Sequence, residues 1–212
     1  MNRSILKYFI DGGGYVKMQL NYENIINELQ RFVDLLVSQD RKPHVFGVVD
    51  FCKRLAKRYS LDENKLTIMA LVHDLFRDLP GDKLFKIAHC YELSISELGV
   101  KRPILIHGLV ASEYLKRRFG IDDEDMLTGI AYHTSGYPNF GPLGKALVLA
   151  DSLELTRVYD RINQLREIAF YDLNVAYVEI IRNKINYAVN HNLYLLPETV
   201  ETWNKLMEGD RT

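Results

Sequence analysis

The chain of 212 residues is 47% hydrophobic and 26% charged, which excludes a disordered chain and allows one domain with a buried core. Its formal net charge of −1 argues against a general nucleic-acid binder, which would be clearly basic. No apolar run approaches the ~18 residues that cross a membrane, and no signal peptide is recognisable. We therefore expect a cytoplasmic protein without nucleic-acid or membrane partners.

The first twenty residues differ from the rest of the chain. They contain Gly12-Gly13-Gly14, which is too flexible for a helix interior. We therefore predict an N-terminal appendage over residues 1–20 and a single domain over residues 21–212.

From Tyr22 onward the sequence is dominated by helical patterns. Apolar residues recur at helical spacing over residues 22–37, Pro43 suits the first turn of a second helix, and Asp62 is a good N-cap for a third. The third helix is predicted to run to His73-Asp74, and a short helix follows a turn at 79–82. Further helices are predicted from Pro103 to Phe119, from Asp122 or Asp123 to near His133, and from the end of the loop 134–142 to Asp151. The last three are predicted over residues 156–170, over residues 173–191 and from Pro197 onward. No alternating strand pattern exceeds a few residues. We predict an all-α fold, a single helical bundle.

Histidines and aspartates in apolar surroundings are the candidate functional residues. His73 and Asp74 stand side by side in an apolar run, where an ionised carboxylate without a partner is costly to bury. A metal ion would remove that cost. The candidate ligands, each in an apolar segment or near a predicted helix end, are His44, His73, Asp74, His107, His133 and Asp151. Taken singly, such a histidine is more often a hydrogen-bonded core residue, and such an aspartate a cap or ion-pair partner.

The composition of this set indicates which metals it would bind. Nitrogen and oxygen ligands without a thiolate suit iron, manganese, cobalt, magnesium or zinc. Six protein ligands exceed the three that hold one catalytic zinc, so two metal ions sharing a bridging carboxylate explain the count better. His89 and His191 have no acidic neighbour in sequence and are left out of the site.

The order of the motifs resembles that of the HD-domain metal phosphohydrolases. His44, His73-Asp74 and Asp151 form their H…HD…D pattern, and His107 and His133 match the two-metal subgroup. The further matching motifs are Arg41-x-x-His44, His73-Asp74-x-x-Arg77-Asp78-x-Pro80, Ile106-His107-Gly108, Tyr132-His133-Thr134-x-Gly136 and Leu149-Ala150-Asp151-x-x-Glu154-x-x-Arg157. Over residues 22–207 the chain resembles the bacterial symmetrical bis(5'-nucleosyl)-tetraphosphatases, which hydrolyse diadenosine tetraphosphate to two ADP.

This resemblance implies roles for the ligands. One metal ion would be held by His44, His73, Asp74 and Asp151, and the second by Asp74, His107 and His133, with Asp74 bridging. Iron is the implied metal. Asp74 and Arg77 would be catalytic, and the substrate is implied to contact His44, Arg77, His133, Thr134, Arg157 and the segment Tyr194-Leu195-Leu196-Pro197-Glu198-Thr199. Leu196 departs from the family, which usually has a polar residue there.

The expected mechanism follows from charge. A water molecule activated by two cations would attack phosphorus in line with the departing ADP. Arg77, Arg157 and Lys145 are candidates to offset negative charge, backbone N–H groups of residues 134–136 could donate, and Tyr132 or Tyr137 could stack on a base. Alternatively, Arg77 could pair with Asp78 or Asp82, and Arg157 with Glu154 or Asp160.

Two other functions remain open at this point. The same ligands would serve an HD-type nucleotidase or pyrophosphatase acting on mononucleotides, and a nucleotide-binding regulator with weak activity would share them. A homodimer is compatible with the sequence.

Overall fold

The computed structural model describes residues 8–11, 14–17 and 21–209. Two short strands, β1 (Tyr8–Asp11) and β2 (Gly14–Lys17), pair antiparallel with Tyr8 opposite Lys17. The sequence analysis did not predict them, because strands of four residues are too short for an alternating pattern to stand out. The predicted domain boundary falls between residues 20 and 21, and residues 18–20 lie outside the described residues, so that boundary stays a prediction.

Between residues 21 and 209 the regular structure is helical. The helices are α1 (Tyr22–Leu36), α2 (Lys42–Tyr59), α3 (Glu63–Val72), α4 (Gly81–Cys90), α5 (Glu97–Lys101), α6 (His107–Phe119), α7 (Glu124–Ala131), α8 (Pro142–Leu153), α9 (Ile162–Tyr171), α10 (Leu173–Asn190) and α11 (Pro197–Gly209). The prediction of an all-α fold is confirmed. A 3-10 turn, Pro103–Ile106, precedes α6, so the helix predicted from Pro103 begins as a tighter turn.

Capping residues explain several helix ends. The Asp62 carboxylate accepts from Lys65 N at 3.0 Å, which confirms the predicted cap of α3. Asp123 accepts from Met126 N at 3.1 Å, which decides between Asp122 and Asp123 at the start of α7.

One predicted helix begins later than expected. The helix predicted over 156–170 starts at Ile162, and the residues before it are irregular. Glu154 accepts hydrogen bonds from Thr156 N and Thr156 Oγ1, at 2.6 and 2.5 Å, and such local side-chain bonds compete with helix formation. Arg161 then takes a left-handed conformation with φ of 62°.

The core is organised around α3, in which every residue from Leu66 to Val72 is buried. It packs against α1, α2, α7 and α8. Burial of this apolar helix favours folding through the hydrophobic effect, and it fixes the position of the two residues that follow it, His73 and Asp74. Cys52 is buried as a core residue, whereas Cys90 is exposed. None of the helices in the described residues is long and apolar enough to cross a membrane.

Candidate metal centre

The buried carboxylate of Asp74 lies at the centre of the candidate site. Its Oδ1 is 3.1 Å from His107 Nε2 and 3.6 Å from His133 Nε2. Its Oδ2 is 3.8 Å from His44 Nε2 and 3.9 Å from His73 Nε2. The two oxygens of one carboxylate therefore face two different pairs of imidazoles, and His107 and His133 approach each other to 3.2 Å between their Nε2 atoms.

Asp151, near the C-terminal end of α8, adds a carboxylate to the pair formed by His44 and His73. Its Oδ1 lies 3.2 Å from His44 Nε2. His44, His73 and Asp151 offer ligand atoms that all lie within 4.8 Å of one another, as do those of His73, Asp74 and His133. All six candidate ligands thus come together, whereas His89 and His191 are exposed elsewhere on the surface.

The hydrogen bonds of the histidines fit a metal site. The Nδ1 atoms of His73, His107 and His133 lie 2.6, 2.5 and 2.8 Å from the backbone carbonyl three residues earlier. An Nδ1–H that donates to a carbonyl leaves Nε2 as a lone-pair donor. Among the described residues, His73 Nε2 is a buried polar atom without a hydrogen-bond partner. Inward-facing imidazole nitrogens beside two carboxylates are a donor set that suits divalent metal ions.

His44 is oriented differently, by a buried side chain that the sequence analysis missed. Its Nδ1 lies 3.0 Å from Glu154 Oε1, and Glu154 is fully buried. Burial opposes the charge of the imidazole, yet hydrogen bonds to Asp151 and Glu154 raise the pKa of His44 to about 9. The sequence indicates Glu154 as a motif residue and a possible partner of Arg157, whose Nε is 3.8 Å from Glu154 Oε1. The spacing Asp151-x-x-Glu154, one helical turn, was the available signal.

Replacing Glu154 should weaken metal binding on the His44 side. We expect Glu154→Ala to lower metal affinity or activity by about 10–100-fold, because a partner that orients a metal-ligating histidine has effects of this size. Titration of the metal-free protein with a divalent metal, followed by calorimetry, measures the affinity. The exposed Glu201 provides the control variant Glu201→Ala, which should bind metal as the unaltered protein does. Equal affinities in all three proteins would contradict this role.

Arg41, which the sequence analysis names only as part of a motif, orients the central carboxylate. Its Nη1 donates to Asp74 Oδ2 at 3.0 Å and its Nε to Asp78 Oδ1 at 2.8 Å, while Ser38 N donates to Asp78 Oδ2 at 3.0 Å. Burial acts to raise the pKa of Asp74, but the imidazoles around it, His73 first and then His107 and His133, hold it well below its usual range. Asp74 is therefore ionised at neutral pH.

The two candidate phosphate-binding arginines lie at the site. Arg77 forms no ion pair with Asp78 or Asp82 within the described residues, and its charge adds to burial in lowering the pKa of His107. Arg157 is exposed, and its Nη2 contacts Asp151 Oδ1 at 2.7 Å rather than Asp160. The third candidate cation, Lys145, instead donates to Asn174 Oδ1 at 2.9 Å. Lys145 is therefore engaged away from the centre.

A cavity of about 280 Å³ is lined by residues adjacent in sequence to two of the candidate ligands, although none of the six ligands itself lines it. Its walls include Ile106 and Thr134, the neighbours of His107 and His133 in sequence, with Glu97 from α5. From the predicted nucleotide segment, Tyr194, Leu196, Pro197 and Glu198 line this cavity. Leu195 does not line it, and Thr199 is a buried residue whose Oγ1 donates to Ser135 O at 2.8 Å.

The loop after His133 provides fewer substrate contacts than the sequence suggested. Gly136 N donates to Tyr132 O at 2.8 Å, so that N–H is already engaged. Tyr132 and Tyr137 stack on each other with ring centroids 5.0 Å apart, and Tyr137 also packs against Phe140. Of the two tyrosines, Tyr132 lines the cavity.

Comparison with known proteins adds independent findings. The HD domain family matches residues 41–156. The symmetrical bis(5'-nucleosyl)-tetraphosphatase of Bacillus subtilis (strain 168) is 32% identical, with 82% of this chain and 92% of that protein covered. The enzyme of the same description from Halalkalibacterium halodurans is 30% identical, covering 81% and 91%. A crystal structure of an HD superfamily hydrolase from Clostridium acetobutylicum, described as involved in NAD metabolism, superposes with a TM-score of 0.80 at 32% identity, covering 89% of this chain and 98% of that one.

Proposed function

This chain belongs to the HD domain family, and we propose that it is a metal-dependent symmetrical bis(5'-nucleosyl)-tetraphosphatase that hydrolyses diadenosine tetraphosphate to two ADP. The metal-dependent chemistry is supported chiefly by one observation: the two carboxylate oxygens of Asp74 face two different pairs of imidazoles. The substrate is supported by the relatives of that description, which align over most of their length.

The metal ions are assigned to the six ligands as the resemblance implies. His44, His73, Asp74 and Asp151 would hold one ion and Asp74, His107 and His133 the other. We propose iron, with manganese, cobalt, magnesium and zinc as the alternatives to be tested by metal analysis. Bound there, the ions would lower the pKa of water and polarise the phosphoryl oxygens.

The residues of the chain account for the rest of the mechanism. Asp74, kept ionised and oriented by Arg41, fixes the spacing between the two sides of the centre. Arg77 and Arg157 approach from different sides and bind phosphate oxygens, on which negative charge develops as ADP leaves. The cavity lined by Tyr132, Leu196 and Pro197 receives one nucleoside and excludes water from it.

Product analysis tests this function. The metal-loaded protein is incubated with diadenosine tetraphosphate, and the products are separated by chromatography. ADP alone is the expected result, whereas ATP plus AMP, or no cleavage, would overturn the assignment. Parallel incubations with AMP, deoxynucleoside triphosphates and NAD distinguish a nucleotidase or pyrophosphatase acting on smaller nucleotides. Cytoplasmic location and a homodimer stay predictions, which cell fractionation and light scattering would check.

A further inference from the structure

A lysine on α10 lies beside the centre, far in sequence from every ligand. Lys184 Nζ donates to the backbone carbonyl of Thr134 at 3.0 Å. Thr134 directly follows His133, and its Oγ1 lies 3.3 Å from His133 Nε2. Lys184, a half-buried residue, is therefore held at the edge of the metal centre by α10, which packs against α8, the helix of Asp151.

The charge of this lysine is not neutralised locally. Within the described residues, no carboxylate lies within 4.0 Å of Lys184 Nζ. Burial lowers the pKa of Lys184, the carboxylate of Asp151 raises it, and the guanidinium of Arg157 lowers it. Lys184 and Arg157 are thus two cations on the Asp151 side of the site, and Arg157 also lies 3.8 Å from Glu154.

Lys184 has N–H donors that are available to bind a ligand. An ammonium group has three N–H donors, and the Thr134 carbonyl takes one of them. A lysine needed only to fasten α10 to the loop could be replaced by a neutral donor, which would avoid the cost of partly burying a cation without a counter-ion. An ammonium group with donors left over, on the same side of the site as the exposed Arg157, is instead suited to an anion that enters from solvent.

We propose that Lys184 is a further substrate-binding residue, which together with Arg157 binds a phosphate group of the polyphosphate chain on the Asp151 side, opposite Arg77. This inference rests on the proposed function for its substrate. Lys184 extends the positively charged surface along the polyphosphate chain, so the site binds a long polyphosphate more tightly than a single phosphate. Specificity for a chain of several phosphates is the expected consequence.

The test compares Lys184→Met with the unaltered metal-loaded protein. Calorimetry measures binding of inorganic tripolyphosphate and of orthophosphate. Hydrogen bonds between charged groups support an expected weakening of tripolyphosphate binding by about 10–100-fold, with orthophosphate binding unchanged. With diadenosine tetraphosphate the KM should rise by a similar factor while kcat changes little, because the contact exists in both ground and transition states.

Controls separate this role from a structural one. Lys184→Arg, which keeps the charge, should restore most of the affinity. Lys205→Met removes an equivalent charge from exposed α11, where Lys205 pairs with Glu208 at 3.7 Å, and should behave as the unaltered protein. A purely structural role would lower Tm and metal content in Lys184→Met and would weaken orthophosphate and tripolyphosphate equally.

Failure of this inference is distinguishable from failure of the proposed function. Equal tripolyphosphate affinities in Lys184→Met and the unaltered protein would overturn the role of Lys184, even if diadenosine tetraphosphate is cleaved to ADP. Conversely, an unaltered protein that does not cleave diadenosine tetraphosphate refutes the proposed function. Selective weakening of tripolyphosphate binding would still support the phosphate site in that case.

Discussion

We expect Asp74→Asn to lose hydrolysis by at least about a thousandfold, the scale on which a catalytic unit responds to loss of one member. An amide has one oxygen to accept and an NH₂ group that only donates. It would therefore present a donor to one of the two imidazole pairs that Asp74 now faces with its oxygens. The same change removes the negative charge that Arg41 contacts at 3.0 Å.

Metal content per chain, measured together with kcat/KM, shows whether the loss of hydrolysis is caused by a change at the metal centre. The matched control is Asp82→Asn, since Asp82 is an exposed carboxylate whose contact is Lys86 at 3.9 Å. This control should keep both metal and turnover. An Asp74→Asn protein that retains two metal ions and normal turnover would refute the bridging role.

Gly108→Ala should damage both the fold and the centre. A Cβ on Gly108 would lie 2.7 Å from the carbonyl oxygen of Ala131 and 2.8 Å from that of Ile130. Both are backbone atoms, so the strain cannot be relieved by turning a side chain, and we expect a loss of about 2–3 kcal/mol in the free energy of unfolding. The Ile130 carbonyl also orients His133, and His107 is the neighbour of Gly108, so metal content should fall as well.

Denaturant unfolding and metal analysis would measure these effects. Gly120→Ala serves as the comparison, because Gly120 has a left-handed φ of 69° but no atom within 4 Å of the added Cβ. Its backbone strain should cost about 1–2 kcal/mol while leaving the centre intact. If Gly108→Ala lost stability but kept its metal, the coupling between this helix contact and the ligands would be disproved.

The convergence of the six candidate ligands could be predicted because residue type and apolar context together carry the signal. Asp74 and Asp151 each follow a buried apolar run, and helix ends were indicated by caps such as Asp62. The roles of Arg41, Glu154 and Lys184 could not be predicted in this way. A charged residue has several acidic or basic neighbours in sequence, and tertiary packing selects among them, as when Arg157 contacts Asp151 instead of Asp160.

The late start of α9 has a similar cause. Glu154 turns inward to His44, and its second set of bonds, from Thr156, interrupts the helical pattern that the sequence alone suggested. Residue preferences describe a segment as if it were isolated. A buried functional contact overrides them at this position.

The histidines differ in how readily their orientation could be altered by mutation. Three of them take their direction from main-chain carbonyls, which every amino acid supplies, so no single replacement of the acceptor residue deletes that contact. His44 depends instead on the side chain of Glu154. A single amino-acid change can therefore alter the orientation of His44, whereas the main-chain contacts of the other three histidines are protected from such a change.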